Sequence, residues 1–217
     1  PAGVRERAEL VHADFRALSL GRRFPLILAP FNAMMHLYTR ADVERFLDVV
    51  RAHLRPDGVF AFDVLNPDLD WLVRDPSKRW ARTRYKDPRT GRVFYYSTNH
   101  FYDRATQINW IRLYYDDAPV GSEEKAARKG DLTSVEPPRG RRREGDLTSV
   151  EGSSGGSRGS RAVELAQRQF FPEELLELLH YNGFSVDERA GGFVGEPFMA
   201  DSDSQVCRCS IRKGGRR

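Results

Sequence analysis

One stretch of this sequence restricts the fold more than any other. Residues 24–31, Phe-Pro-Leu-Ile-Leu-Ala-Pro-Phe, are an apolar run, and residues 59–65, Val-Phe-Ala-Phe-Asp-Val-Leu, are a second. Between them, residues 41–54 place Val43, Phe46, Leu47, Val50 and Leu54 at helical spacing, which makes one apolar stripe. Thr39 stands ready to cap that helix with Asp42 at its third position, and Pro56 and Gly58 mark its end. Strand, loop, helix, turn, strand is a βαβ unit. Two short apolar runs of this kind predict strands buried on both faces. Ligands of such sheets bind beyond the carboxyl ends of the strands, here Phe31-Asn32 and residues 63–66.

The rest of the chain arranges itself around this unit. Residues 8–14 read as a short strand ending at Asp14. Leu69, Trp71 and Leu72 suggest a helical turn after Pro67. Residues 79–85, 92–100 and 107–115 are rich in aromatic and β-branched side chains and are separated by turn-like connections, which predicts an antiparallel meander. Residues 161–171 supply its fourth strand. Pro172-Glu173-Glu174 opens a helix with proline at a tolerated position and acids at the positive end of the dipole. Asn182-Gly183 closes it, and strands follow from Phe184 and over 205–212. The expected fold class is α/β, a sheet interrupted by an inserted antiparallel meander. The expected divisions are a core over 1–78, a β insertion over 79–117, a disordered low-complexity loop over 118–160, and a return to the core sheet over 161–217.

The low-complexity loop contains Gly-Asp-Leu-Thr-Ser-Val-Glu twice, at 130–136 and 145–151. Two polar copies are too few for a solenoid, and such a composition does not bury enough apolar surface to order itself.

Charge and composition narrow the function classes. The net charge of +4 comes with arginines spread along the chain, and the dense cluster at 139–143 lies in the low-complexity loop. This argues against nucleic-acid binding as the main function, since such binding needs basic groups gathered on one face. No apolar run approaches the length of a membrane span and no signal peptide is visible, so the expectation is a cytoplasmic protein without a membrane anchor. Cys207 and Cys209 are too few ligands for zinc and predict two buried small side chains on one strand face.

Several segments carry a family resemblance. They are Ala13-Asp14-Phe15-Arg16, residues 32–37, Leu54-Arg55-Pro56-Asp57-Gly58 before Phe-Ala-Phe-Asp, and Phe170-Phe171-Pro172-Glu173-Glu174-Leu175 before His180-Tyr181-Asn182-Gly183-Phe184. In this order they resemble class I S-adenosylmethionine-dependent methyltransferases, and the insertion resembles that of the glycine N-methyltransferase-like branch, where it roofs the acceptor pocket. The resemblance implies an α/β fold with a partial Rossmann-like methyltransferase sheet and an inserted antiparallel β-meander, and a transferase that uses S-adenosyl-L-methionine and a small-molecule methyl acceptor. Asp14 and Phe15 match the loop that meets the adenine. Phe31, Asn32 and Met35 match the loop bordering the methionine part, with His36 as an acceptor-orienting or catalytic base. Asn66 and Arg168 match positions near the acceptor, and Tyr96, among the tyrosines of the insertion, is a further candidate for binding it. No metal is implied.

The sequence departs from that family at one point. The glycine-rich turn after the first strand, and the acid that ends the second, do not occur upstream of Asp14. The resemblance therefore begins just before the family's third strand, and it implies a C-terminal portion whose N-terminal segment or partner chain supplies the rest. A non-catalytic remnant, or one half of a split protein, is the alternative. A nucleic-acid-binding protein that uses the arginines at 139–143 is a third reading.

Overall fold

The computed structural model describes residues 7–118 and 160–213. In chain order the elements are β1 Phe24–Ala29, a 3₁₀ turn Ala33–His36, α1 Arg40–His53, β2 Leu54–Leu65, a one-turn helix α2 Leu69–Leu72, β3 Trp80–Lys86, β4 Val93–Asp103, β5 Ile108–Asp117, β6 Arg161–Arg168, α3 Pro172–Tyr181, β7 Phe184–Ala190 and β8 Ser204–Ile211. They divide into two compact units. One is built from the chain through Pro67 and again from Gln169, the other from Asp68–Arg168.

The first unit holds a four-stranded sheet in the order β1-β2-β8-β7. β1 and β2 are parallel, while β8 is antiparallel to both β2 and β7. The helix that joins the parallel pair starts as its sequence predicts. Asp42 N–H donates to the Thr39 hydroxyl and the Thr39 N–H donates back to the Asp42 carboxylate, each at 3.1 Å, a reciprocal capping box. The apolar stripe of α1 is buried in the same cluster as Leu175 and Leu179 of α3 and as Phe60, Phe62 and Val64 of β2. Phe60 is the hub. Its ring lies 6.0 Å from Phe46 on α1, 5.1 Å from Phe62 and 5.8 Å from Phe184 on β7. Each fully buried side chain of this kind contributes about 1.5–3 kcal/mol. Gly183, at φ +83°, ends α3 in the left-handed turn that a residue without Cβ adopts freely. Cys207 and Cys209 are free and buried on the core face of β8, as expected.

Three expectations are corrected here. First, β1 is not buried on both faces. Ile27 and Ala29 face the core, but Leu26 and Leu28 on the other face are 51% and 60% exposed. The reason is that α1 and α3 both contribute to the one core cluster, so they cover the same face of the sheet. Among the described residues of this unit no helix covers the opposite face. Second, residues 8–14 form no strand. They run as coil and turn because no ladder partner pairs with them among the described residues. Third, β2 begins at Leu54, before the proline–glycine turn rather than after it. Phe24 pairs with Leu54 and Leu26 with Val59, so residues 55–58 bulge from the ladder.

The second unit is a meander in the order β3-β4-β5-β6, every neighbour antiparallel. Its turns form for local reasons. Asp87 accepts from the Arg89 N–H and the Thr90 hydroxyl, and Asp103 accepts likewise from Ala105 and Thr106. On β4 the His100 ring stacks on Trp71 of α2 at 3.9 Å, and its Nε2 lies 2.7 Å from the Trp71 carbonyl. The low-complexity loop expected over 118–160 lies, except for its two end residues, outside the described residues. No described helix is long and apolar enough to cross a membrane.

Candidate functional site

β1 and β2 are parallel, so their carboxyl ends lie at one end of the first unit, and α1 begins there too. The chain leaves β1 through Phe31 and Asn32, both at φ +59°. Two consecutive residues other than glycine in the left-handed region cost about 1–2 kcal/mol each, and the bulky phenylalanine is the greater outlier. The compensation comes from β2. Asp63, 4% exposed, accepts the Phe31 N–H on Oδ1 at 2.8 Å and the Asn32 N–H on Oδ2 at 3.0 Å. A buried carboxylate needs donors, and these two amides satisfy one oxygen each. From Asn32 the chain turns at once into the 3₁₀ helix, whose first bond is Met35 N–H to the Asn32 carbonyl at 2.9 Å. The loop so held presents the Phe31 ring 90% exposed at the sheet's carboxyl end.

The other predicted residues of this unit fall as follows. His36 closes the 3₁₀ turn and is exposed. Met35 is fully buried, as is Met34, and belongs to the core cluster rather than the surface. Asn66, beyond β2, donates its side-chain amide to the Ser202 carbonyl and its N–H to the Asp203 carbonyl, both at 3.0 Å. Asp14 faces Arg16, whose guanidinium and backbone N–H it holds at 2.7–3.0 Å. These hydrogen bonds lower its carboxyl to about 2. Arg16 reaches on to Asp42 in the capping box at 2.7 Å, which ties the coil carrying Asp14 to the start of α1. Asp42 is held below the usual carboxylate range by the Thr39 hydroxyl and by Arg45 and Arg16. Phe15 sits edge-on to Phe46 at 5.2 Å. Phe31, Asn32, His36, Asn66 and the Asp14–Arg16 pair thus belong to segments at one end of the sheet.

Tyr96 and Arg168 belong to the second unit. Tyr96 is half-buried beside Tyr115, and burial raises its phenol above the ordinary value. Arg168 is buried at the end of β6, opposite Ile108. Two shallow clefts, about 420 Å³ beside Phe24 and about 450 Å³ beside Phe184, open at the other end of the first unit's sheet, where β1 and β7 begin. They are not candidates for chemistry at the carboxyl ends. Among the described residues no His, Cys, Asp or Glu group gathers to hold a metal. Asp63 is the residue whose role the sequence did not disclose. Its one signal was a carboxylate at the inward end of an apolar strand.

Comparison with solved structures decides the fold. The CcbJ methyltransferase from Streptomyces caelestis matches 93% of this chain at a TM-score of 0.64 and 18% identity, and the chain covers 63% of it. An S-adenosylmethionine-dependent methyltransferase from Clostridium acetobutylicum matches 97% at 0.63 and 12% identity, with 69% of its own length covered. The fold is that of the class I methyltransferases. DesVI of Streptomyces venezuelae shares it at 0.57 over 97% of the chain, with 15% identity and 69% of its own length covered. No family model matches. A curated relative from Streptomyces fradiae, a dTDP-3-amino-3,6-dideoxy-α-D-glucopyranose N,N-dimethyltransferase, is 42% identical over 52 residues. That match takes in 24% of this chain and 20% of the relative. The chain therefore spans under two thirds of the length of CcbJ and matches one fifth of the curated relative.

Proposed function

We propose that the chain forms one wall of an S-adenosyl-L-methionine-dependent methyltransferase that acts on the amine of a small polar acceptor, a sugar-linked amine being the first to try. The observation that carries this reading is the loop after β1. In a methyltransferase fold, it holds an exposed Phe31 and a strained Asn32 at the carboxyl ends of the parallel strands, fixed by a buried carboxylate. The acceptor class comes from the 52 residues shared with an amino-sugar N,N-dimethyltransferase.

The cofactor supplies an electrophilic methyl, and the protein's work is alignment and exclusion of water. Phe31 offers an apolar face, Asn32 a polar side chain, and Asp14 and Phe15 the adenine end. Met35, buried, supports the loop from beneath. An amine acceptor must be neutral to attack, and we assign the taking of its proton to His36, which is exposed. Asn66, and in the second unit Tyr96 and Arg168, are assigned to the acceptor.

The glycine-rich turn that approaches such a cofactor is not among these 217 residues. We assign it to polypeptide beyond them, upstream or on a partner chain. β1, with Leu26 and Leu28 bare on one face, is one of the two edge strands of the described sheet, and we assign the further strand to it. A non-catalytic remnant is the competing reading. Calorimetric titration with S-adenosyl-L-methionine separates the two. Binding by the chain, strengthened by an added glycine-rich strand–turn–helix segment and followed by methyl transfer to an amino-sugar nucleotide, supports the enzyme. No heat and no transfer in either mixture supports the remnant.

A further inference from the structure

The geometry points to Asp63 as the positioning residue of the proposed methyl-transfer site, acting through the backbone of Phe31 and Asn32 rather than on substrate or cofactor. The inference rests on the methyltransferase reading and deepens it.

Two observations meet at Asp63. The successive N–H groups of Phe31 and Asn32, which lie in a turn, converge on one anion. Here the anion is internal: each Asp63 oxygen takes one amide, at 2.8 and 3.0 Å. The residue is buried, so water does not substitute for it. The contact also spans 32 positions of sequence and joins the ends of both parallel strands, so it orders the loop without being part of it. With the carboxylate in place, Phe31 points outward and the 3₁₀ turn carrying His36 starts directly from Asn32. Without it, nothing else described holds the Phe31 and Asn32 amides, and the loop relaxes to ordinary backbone angles.

Asp63→Asn is a sharp test because the shape is kept. An asparagine accepts one of the two amides, and its NH₂ then faces the other N–H, donor against donor. The readout is backbone amide NMR of the whole chain with S-adenosylhomocysteine as probe. In the unsubstituted protein the Phe31 and Asn32 amides exchange slowly, and the probe shifts residues 31–36. In Asp63→Asn the core amides of Phe60 and Val64 stay protected, the loop amides exchange freely, and the probe binds about tenfold more weakly, the scale of one charge-assisted hydrogen bond.

Unchanged probe affinity in Asp63→Asn overturns the proposal while leaving the methyltransferase reading intact. Joint loss of core and loop protection in Asp63→Asn also overturns it and makes Asp63 a structural residue only. Absence of any shift at 31–36 in the unsubstituted protein, with the glycine-rich segment added as well as without it, removes the methyltransferase reading, and the positioning role with it.

Discussion

A sheet covered on one face makes a quantitative prediction about two apolar residues one position apart across the β1–β2 ladder. Phe60, the ladder partner of Ile27, is fully buried and touches three other rings, whereas Leu28, the partner of Ala61, keeps 60% of its surface in solvent. Phe60→Ala removes a ring from the centre of the cluster, and such truncations cost about 3–5 kcal/mol. Leu28 has less than half its surface to lose, so Leu28→Ala forfeits at most about 1 kcal/mol. The assay must see the first unit. All three tryptophans, Trp71, Trp80 and Trp110, lie in the second unit, so fluorescence reports on that unit. Native-state amide exchange of Phe60, Phe62 and Val64 under increasing urea reads the first unit instead. A loss for Leu28→Ala of about 2 kcal/mol or more, a core-like value, would refute the reasoning, because it would mean that the outer face of β1 is covered.

Other predictions concern single interactions. Thr39→Ala removes the cap of α1 and lowers stability by about 1 kcal/mol, read by urea unfolding of the same amides, while Thr39→Ser leaves it near the original value. Asp14 and Asp42 are both depressed in the folded protein, so their stabilising contribution is complete above the ordinary carboxylate value of 3.8 and is lost as pH falls toward about 2. Arg16→Met lets the folded Asp14 carboxyl return toward 3.8, so the variant is less stable near neutrality and loses less in acid, and melting temperatures taken across pH 2 to 5 show a shallower limb that converges on the unsubstituted protein at the acid end. Burial pushes the Cys207 thiol up to about 12 and Cys209 higher still. Both therefore resist a thiol reagent at mildly alkaline pH and react once urea unfolds the chain, which absorbance of the released chromophore follows.

Local signals were legible in the sequence, and long-range ones were not. Thr39 and Asp42 are three residues apart, so their capping box could be read directly, and so could the stripe from Val43 to Val50. The meander declared itself through Asp87 and Asp103, whose turns bond within three residues. Apolar runs gave the strands but not which faces are covered, because that depends on where α1 and α3 pack. Residues 8–14 carry a strand-like pattern, yet a strand exists only where a ladder partner does. Met35 looked like a loop residue available to a ligand. Its neighbours turn it inward, since the 3₁₀ helix places Met34 and Met35 together in the core. The tie from Asp63 to Phe31 and Asn32 had no local trace, and neither did the left-handed backbone it holds.

The central claim is that the carboxyl ends of β1 and β2 form a wall of a cofactor site. Ultraviolet cross-linking of methyl-labelled S-adenosyl-L-methionine to the chain, followed by peptide mapping, tests it most directly and registers weak binding. The account predicts label in the peptide that spans residues 31–37, suppressed by excess S-adenosylhomocysteine and diminished in Asp63→Asn. Label in the peptide around Phe184, or none that S-adenosylhomocysteine displaces, would contradict it.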